Sequence, residues 1–202
     1  MNDLIVLNKP YGVICQFSAH EKYGCLKDYV ALPDFYPAGR LDTDSEGLLL
    51  LTNDGRLQAR IADPKFKLEK TYWAQVEGSP DEAKLDMLRR GVDLGDFVTR
   101  PAKVRVLEAG EADVLWPRVP PIRVRKSVPD FWVEIRISEG KNRQIRRMTA
   151  KAGFPCLRLV RVAIGRLNVF DLGLGLGGQP AFLQEGVEGV AETGGGVGEG
   201  AV

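Results

Sequence analysis

The 202-residue chain has few of the groups on which most enzymes of small metabolites rely. It contains a single histidine, His20, and no Gly-x-Ser-x-Gly motif, which argues against a Ser-His-Asp hydrolase. No glycine-rich phosphate loop ending in Lys-Ser or Lys-Thr occurs, and no Gly-x-Gly-x-x-Gly follows a strand-like segment. The sequence therefore predicts a protein without a nucleotide cofactor.

Cysteines and long apolar runs are also scarce. Cys15, Cys25 and Cys156 are odd in number, lie far apart and form no Cys-x-x-Cys pair, which argues against disulfides and against a zinc site. The longest leucine run, 48–51, is much shorter than the roughly 20 residues that cross a membrane. The first residues lack the features of a secretory signal. We therefore expect a cytoplasmic protein without a bound metal or a membrane segment.

Basic residues are absent from the C-terminal part of the chain. From Asp171 onward there is no Lys or Arg, there are five acidic residues, and the last 30 residues hold 11 of the 23 glycines. Such a segment buries too little apolar surface to order itself, so residues 171–202 are predicted to form a disordered acidic tail. The body that remains has 28 basic and 22 acidic residues, a formal charge of +6, which weakly favours a polyanionic partner.

The body alternates between strand-like and helix-like patterns without β-α-β repeats. Strands are predicted over 4–7, 13–17, 48–52, 70–76, 104–107, 131–137 and 157–164. Helices are predicted over 26–32, from 55 to about 63, over 79–90 and over 141–152. The first two strands are expected to form a hairpin. Because strands outnumber helices, we predict an α+β fold with a mixed, largely antiparallel sheet flanked by helices.

Residues 39–55 carry the most informative pattern. Arg40 and three alternating acids, Asp42, Asp44 and Glu46, directly precede four leucines. Because the leucines bury as a strand, we expect the acids at the mouth of a packed element. A neighbouring arginine favours the ionised form of a carboxylate, and such a carboxylate is a usable nucleophile or base. A solvated acidic turn is one alternative, and a calcium loop is another, although an EF-hand needs Glu where this chain has Asn53.

Two basic clusters occur in the second half of the chain. One flanks a Pro-Pro turn, and the other crowds the first turns of the helix predicted over 141–152. The members are Arg118, Arg123, Arg125 and Lys126 in the first, and Lys141, Arg143, Arg146 and Arg147 in the second. Cations at a helix N-terminus oppose the helix dipole. They predict either phosphates or an internal carboxylate such as Asp42 as partners, and a solvated charged face is the alternative.

Five motifs, taken in order, resemble the pseudouridine synthases of the ribosomal small-subunit type. They are Asn-Lys-Pro at 8–10, the segment 39–55, Lys-Thr-Tyr at 70–72, and the segments 139–148 and 159–165. The resemblance covers roughly residues 4–168. The segment 115–127 is most similar to the large-subunit synthase E branch of that family, so we expect a chain without the S4 RNA-binding domain of several relatives.

The resemblance implies a pseudouridine synthase catalytic domain over residues 1–170, with two subdomains around one central cleft. It implies a monomeric isomerase that needs no cofactor and converts a uridine of large-subunit (23S) ribosomal RNA to pseudouridine after flipping it out. Uracil would be detached from C1′ and rejoined through C5.

The resemblance also assigns roles to residues. Asp42 matches the catalytic aspartate, and Arg146 matches the basic residue that pairs with it. Tyr72 and Leu159 match the side chains on the two faces of the target base, and Arg40 would fill the gap left in the RNA. The two basic clusters would bind phosphates.

Two further hypotheses stay open on sequence alone. One is a non-catalytic RNA-binding or ribosome-assembly factor on the same scaffold. The other is a nucleoside glycosidase, for which Asp44 or Glu46 would supply the second carboxylate.

Overall fold

The computed structural model describes residues 4–66, 68–123, 125, 127–174 and 180–183, and in them the chain forms an α+β fold. The strands are β1 (Leu4–Lys9), β2 (Tyr36–Pro37), β3 (Glu46–Thr52), β4 (Lys70–Glu77), β5 (Lys103–Val106), β6 (Asp130–Ile137), β7 (Cys156–Ile164), β8 (Leu167–Asn168) and β9 (Pro180–Leu183). The helices are α1 (Gly55–Ala62), α2 (Glu82–Arg90) and α3 (Gln144–Lys151), with 3-10 turns at Leu26–Asp28, Pro64–Phe66 and Glu111–Val114. Within these ranges no helix has the length and apolar character of a membrane span.

The strands form one continuous mixed sheet in the order β5-β6-β4-β7-β3-β1-β9, with β2 beside β3 and β8 beside β7. Among the described strands the pairs are antiparallel except β3 with β7, which is parallel. That parallel contact is short: Glu46 pairs with Val160 and Gly47 with Arg161. It joins the two halves of the sheet and places the start of β3 against the middle of β7.

Both faces of the sheet are covered, which explains the uninterrupted leucine run. In β3, Leu49 and Leu51 enter the core that contains the apolar residues of α2 and α3. Leu48 and Leu50 enter the second core, which contains the apolar residues of α1. A strand buried on both faces carries apolar residues at successive positions rather than at alternate ones.

The helix that starts after Asp54 and the predicted strands other than 13–17 are confirmed to within a few residues, but the strand over 13–17 and the N-terminal hairpin are wrong. Residues 13–17 form a loop in which Val13 makes an isolated bridge to Gly24. β1 pairs instead with β3 on one side and β9 on the other. Because both backbone edges of β1 are occupied, no position is left for a hairpin partner. The helix predicted over 26–32 is likewise reduced to a short 3-10 turn.

Two helices begin later than predicted. The N-cap of α2 is Asp81, whose carboxylate accepts from the backbone N–H of Lys84 at 3.1 Å, rather than Ser79. α3 begins at Gln144, after Arg143 adopts a left-handed conformation with φ of 50°. The Gln144 side chain accepts from the backbone N–H of Lys141 at 3.1 Å and so closes the loop before the helix. Lys141 and Arg143 therefore belong to a loop and not to the first helical turn.

The boundary of the predicted disordered tail at residue 171 is corrected by the structure. Leu174 is buried, and its carbonyl accepts a hydrogen bond of 2.8 Å from the side-chain amide of Asn8. Further on, the backbone of β9 pairs with β1 and satisfies the edge of that strand. The remainder of the predicted tail, 175–179 and 184–202, lies outside the described residues.

Candidate active site

A cleft of about 930 Å³ opens beside the junction of β3 and β7. Four of the five predicted catalytic and substrate-binding residues line it: Arg40, Asp42, Tyr72 and Leu159. They come from the loop before β3, from β4 and from β7, which the sheet order brings together. The structure therefore places these four residues in one cleft.

The loop that carries Asp42 is fixed by contacts to the N-terminal loop. The backbone N–H of Gly12 donates to the carbonyl of Thr43 at 2.8 Å. Cys15 Sγ lies 3.1 Å from the carbonyl oxygen of Leu41 and 3.3 Å from its backbone nitrogen, in hydrogen-bond contact with both. These contacts hold Asp42 at the cleft with about a third of its side chain, 34%, exposed.

The arginine pairing differs from the prediction. Arg143 forms a bidentate pair with Asp44, at 2.9 and 2.8 Å, and its guanidinium lies 3.7 Å from the nearer oxygen of Asp42. Arg146 donates to the backbone carbonyl of Asp44 at 2.6 Å, and its Nε lies 3.4 Å from the Asp44 carboxylate. The predicted pair of Arg146 with Asp42 is thus corrected: Arg146 holds the neighbouring acid, and Arg143 is the arginine beside Asp42.

Asp44 is an anchor of this loop. Partial burial on its own would raise the pKa of Asp44, but the hydrogen bonds from Arg143 and the nearby charge of Arg146 outweigh it and lower the pKa below its ordinary value. The carboxylate therefore stays ionised near neutral pH. Since Arg143 and Arg146 both come from the α3 region, Asp44 ties the loop before β3 to that region.

Tyr72 and Leu159 lie on the same face of the sheet. Both belong to the core that contains the apolar residues of α2 and α3, and they are 8% and 4% exposed. In the pairing of β4 with β7, Tyr72 is opposite Arg161, and Leu159 is opposite Ala74. The two side chains therefore line the cleft as parts of a rigid sheet.

Two buried cations line the same cleft and were missed as site residues. Lys70 is 8% exposed and Arg161 is 3% exposed. Burial, together with the smaller effect of the positive charge of Arg161, lowers the pKa of Lys70 to about 8. Lys70 precedes Tyr72 by two positions and Arg161 follows Leu159 by two, so strand alternation places each beside a predicted site residue. That spacing was the available signal.

Glu46, the third acid of the motif, has a structural role and not a reactive one. Arg158 donates to its two oxygens at 2.9 and 3.0 Å, and the indole N–H of Trp116 donates at 2.9 Å. Glu46 is 1% exposed and opens strand β3. A calcium loop is therefore excluded over this segment, and Glu46 is not a second carboxylate for glycosidase chemistry.

The predicted RNA-binding residues that the structure describes fall into three groups. Arg123 and Arg125 are exposed, and Arg118 is half-buried, with its guanidinium 4.2 Å from the ring centre of Tyr11. Lys126 lies outside the described residues. Lys141 lines the cleft. The third group, Arg143 and Arg147, is held by carboxylates, since Arg147 pairs with Asp96.

The chain is similar to known proteins of one family. The RNA pseudouridylate synthase family matches residues 3–151. A Xanthomonas axonopodis pv. citri (strain 306) protein named ribosomal large subunit pseudouridine synthase E is 58% identical over 164 residues, 80% of this chain and 85% of the relative. A Vibrio parahaemolyticus serotype O3:K6 (strain RIMD 2210633) protein of the same name is 52% identical over 169 residues, 84% of this chain and 70% of the relative. A crystal structure of pseudouridylate synthase matches with a TM-score of 0.75 at 29% identity, covering 94% of this chain and 74% of that one. The chain therefore belongs to the RNA pseudouridylate synthase family.

Proposed function

We propose that this protein converts a uridine of large-subunit ribosomal RNA to pseudouridine, as a member of the synthase E branch. Relatives that are 58% and 52% identical carry the name of that activity. The observation that carries the proposal is the cleft that Asp42 shares with Arg40, Tyr72 and Leu159. The activity would take place in the cytoplasm, where the three free cysteines stay reduced, and would need no partner subunit.

Asp42 is the carboxylate we assign to the reaction. Both oxygens of Asp44 are occupied by the Arg143 guanidinium, at 2.9 and 2.8 Å. Asp42 has a single ionic contact within 4 Å among the described residues, at 3.7 Å from the same guanidinium. A nucleophile or base needs a charged but accessible oxygen. Asp42 meets that condition, whereas Asp44 is engaged in holding the loop.

The target base would lie between Tyr72 and Leu159. A base stacked in RNA is out of reach of a side chain in a cleft, so the uridine has to be flipped out first. The cleft volume of about 930 Å³ is within the range of small-ligand sites, roughly 300–1,000 Å³, and is sufficient for one nucleotide. We assign Arg40, exposed at the rim, to the gap that the flipped nucleotide leaves in the RNA.

The basic groups that are not held in bidentate carboxylate pairs would hold the RNA backbone. Arg118, Arg123 and Arg125 are free of the bidentate carboxylate pairs that occupy Arg143 and Arg147. We therefore assign phosphate contacts to these three, together with Lys126 and with Lys141 at the cleft. Arg143 and Arg147 would instead shape the loops that face the RNA. Phosphate contacts position the substrate without reading its sequence.

The proposal is tested by the Asp42→Asn variant on in vitro transcribed large-subunit RNA that carries [5-³H]uridine. Rejoining through C5 requires loss of the C5 proton, so turnover releases tritium into water. We expect the wild type to release tritium and Asp42→Asn to release none, with RNA affinity within about twofold of the wild type. Asp113→Asn, which neutralises an exposed acid of a distant 3-10 turn, is the matched control and should keep full activity.

Measurable turnover by Asp42→Asn would contradict the assignment of Asp42. A wild type that binds the RNA but releases no tritium would contradict the enzymatic proposal and favour the non-catalytic RNA-binding factor.

A further inference from the structure

Lys70 and Arg161 form a buried cationic pair on the cleft wall. Arg161 lies opposite Tyr72 in the pairing of β4 with β7, and Lys70 precedes Tyr72 by two residues on the same strand. Both side chains line the cleft, although they are only 8% and 3% exposed. They are therefore deeper than Arg40, which is exposed at the rim of the same cleft.

The pair lacks a counter-ion among the described residues. Arg161 donates to the carbonyls of Leu48, at 2.7 Å, and Arg40, at 3.4 Å, but its Nη2 is buried without a hydrogen-bond partner. The side chain of Lys70 has no hydrogen bond or ion pair to any described group, and the charge that acts on its pKa is the like charge of Arg161. Burying two cations without a counter-ion is costly, and the backbone contacts of Arg161 leave its Nη2 and the Lys70 ammonium without a partner.

We propose that Lys70 and Arg161 bind the carbonyl oxygens of the flipped uracil and stabilise the negative charge that develops on it when the C1′–N1 bond breaks. This inference rests on the proposed function. Tyr72 and Leu159, which would cover the faces of the base, are each two residues away along the strand from one member of the pair. A base held between them presents its edge to the buried donors.

The chemistry of the step requires such donors. When the C1′–N1 bond breaks heterolytically, its electron pair goes to uracil and the charge is shared by N1, O2 and O4. After rotation, C5 of the uracil anion forms the bond to C1′, the C5 proton leaves, and N1 is protonated. Preorganised donors at developing anionic oxygens typically increase rates by about 100- to 1,000-fold each.

The depth of the pair favours the base over a backbone phosphate. A phosphate remains on the RNA strand and is reached by exposed groups such as Arg40 and Lys141. Uracil places oxygens at positions 2 and 4, and both accept hydrogen bonds. Cytosine has an amino group at position 4. This group is a hydrogen-bond donor and cannot accept from the cations, so the pair also favours uridine.

The surroundings of Lys70 define the pH test. The charged side chains that line this cleft from other elements are Arg161 on β7, Arg40, Asp42 and Asp44 before β3, and Lys141 and Arg143 before α3, and the titratable His20 lines it from the N-terminal loop. Among them, Arg161 is the one whose charge acts on the pKa of Lys70. With that pKa lowered to about 8, the ammonium loses its proton on the alkaline side of neutrality.

The experiment compares wild type, Lys70→Met and Lys70→Arg in single-turnover tritium release from the same RNA. We expect Lys70→Met to lower the rate about 100-fold or more at pH 7, with RNA affinity within about twofold of the wild type. The wild-type rate should fall as pH rises through about 8, because the cation is lost. Lys70→Arg should restore most of the rate at pH 7 and remove that alkaline fall, since arginine stays charged.

The control for removal of a lysine is Lys103→Met. Lys103 is exposed on β5 and pairs with Glu69, so its loss should leave the rate unchanged. The melting temperature of Lys70→Met should equal or exceed that of the wild type, because a buried unpaired cation has been removed. An active wild type with an equally active Lys70→Met, or an alkaline fall that persists in Lys70→Arg, would overturn this inference alone. A wild type that releases no tritium would overturn the proposed function and this inference with it.

Discussion

Gly47→Ala is the substitution that most directly tests how the cleft is assembled. Gly47 has φ of 103°, in the region that favours glycine, and it pairs with Arg161 in the parallel contact of β3 with β7. A Cβ atom at this position would lie 2.3 Å from the carbonyl oxygen of Arg161 and 2.9 Å from its backbone nitrogen. Both are backbone atoms, so no side-chain rotation relieves the contact.

The size of the effect follows from two separate costs. A left-handed conformation of a residue with a Cβ costs about 1–2 kcal/mol. Overpacking adds about 1–3 kcal/mol. We therefore expect the free energy of unfolding to fall by about 2–5 kcal/mol. Restoring an ordinary contact of 3.4 Å requires β7 to move by about 1 Å. Because that strand carries Leu159 and Arg161, catalysis should fall about 100-fold.

Urea denaturation of three alanine variants separates these costs. Gly95→Ala introduces strain without a clash, because Gly95 has φ of 90° and nothing within 4 Å of its added Cβ. Gly55→Ala introduces neither, because Gly55 opens α1 with open space around it, and it should gain about 0.5–1 kcal/mol. From the most to the least stable protein, we expect the order Gly55→Ala, wild type, Gly95→Ala and Gly47→Ala. A Gly47→Ala protein as stable as Gly95→Ala would refute the argument that the close β3–β7 contact needs glycine.

Three further outcomes are expected. At pH 7, Lys70→Met should be more stable to urea than the wild type by about 3 kcal/mol, because the pKa of Lys70 falls from 10.5 to about 8 on folding. This difference in the free energy of unfolding should shrink as pH rises from about 8 to 10.5, because in that range the unfolded wild type binds a proton at Lys70 that the folded wild type does not. A difference that stays constant with pH would contradict this prediction. Arg158→Met should lower the free energy of unfolding by about 3–5 kcal/mol, since a buried carboxylate loses its partner, and a loss below about 1 kcal/mol would be inconsistent with that pairing. Arg123→Glu with Arg125→Glu should flatten the salt dependence of RNA binding by more than one unit of log-log slope in filter binding, whereas Arg90→Glu, on the exposed face of α2, should leave it unchanged.

Much of the fold was predictable because the sheet is buried on both faces. The leucine run and the strands at 70–76 and 157–164 have apolar patterns that are typical of buried strands and fit few other secondary structures. The position of residues 13–17 was not predictable, since their apolar pattern also fits a strand. Whether an apolar segment joins the sheet depends on which edges are free, and β1 is already paired on both sides.

The candidate site was predictable as a set of residues but not as a set of contacts. The sequence brought Asp42, Tyr72 and Leu159 together through the family resemblance, and the cleft unites them. It did not show which acid Arg146 would reach, because Asp42 and Asp44 are two residues apart and the arginine is about a hundred residues away. The early start expected for α3 contributed to this error. With Arg143 in a left-handed conformation before the helix, the two arginines converge on Asp44.

The loop that carries Asp42 is held by three parts of the chain that are distant in sequence. The N-terminal loop contacts it through Gly12, the α3 region through the arginines on Asp44, and β7 through the guanidinium of Arg161 on the carbonyl of Arg40. Because β7 is the last of these in the chain, the loop is complete only when β7 has joined β3. Correct placement of Asp42 is therefore coupled to formation of the parallel strand pair, which makes a long-range contact late in the sequence a condition for activity.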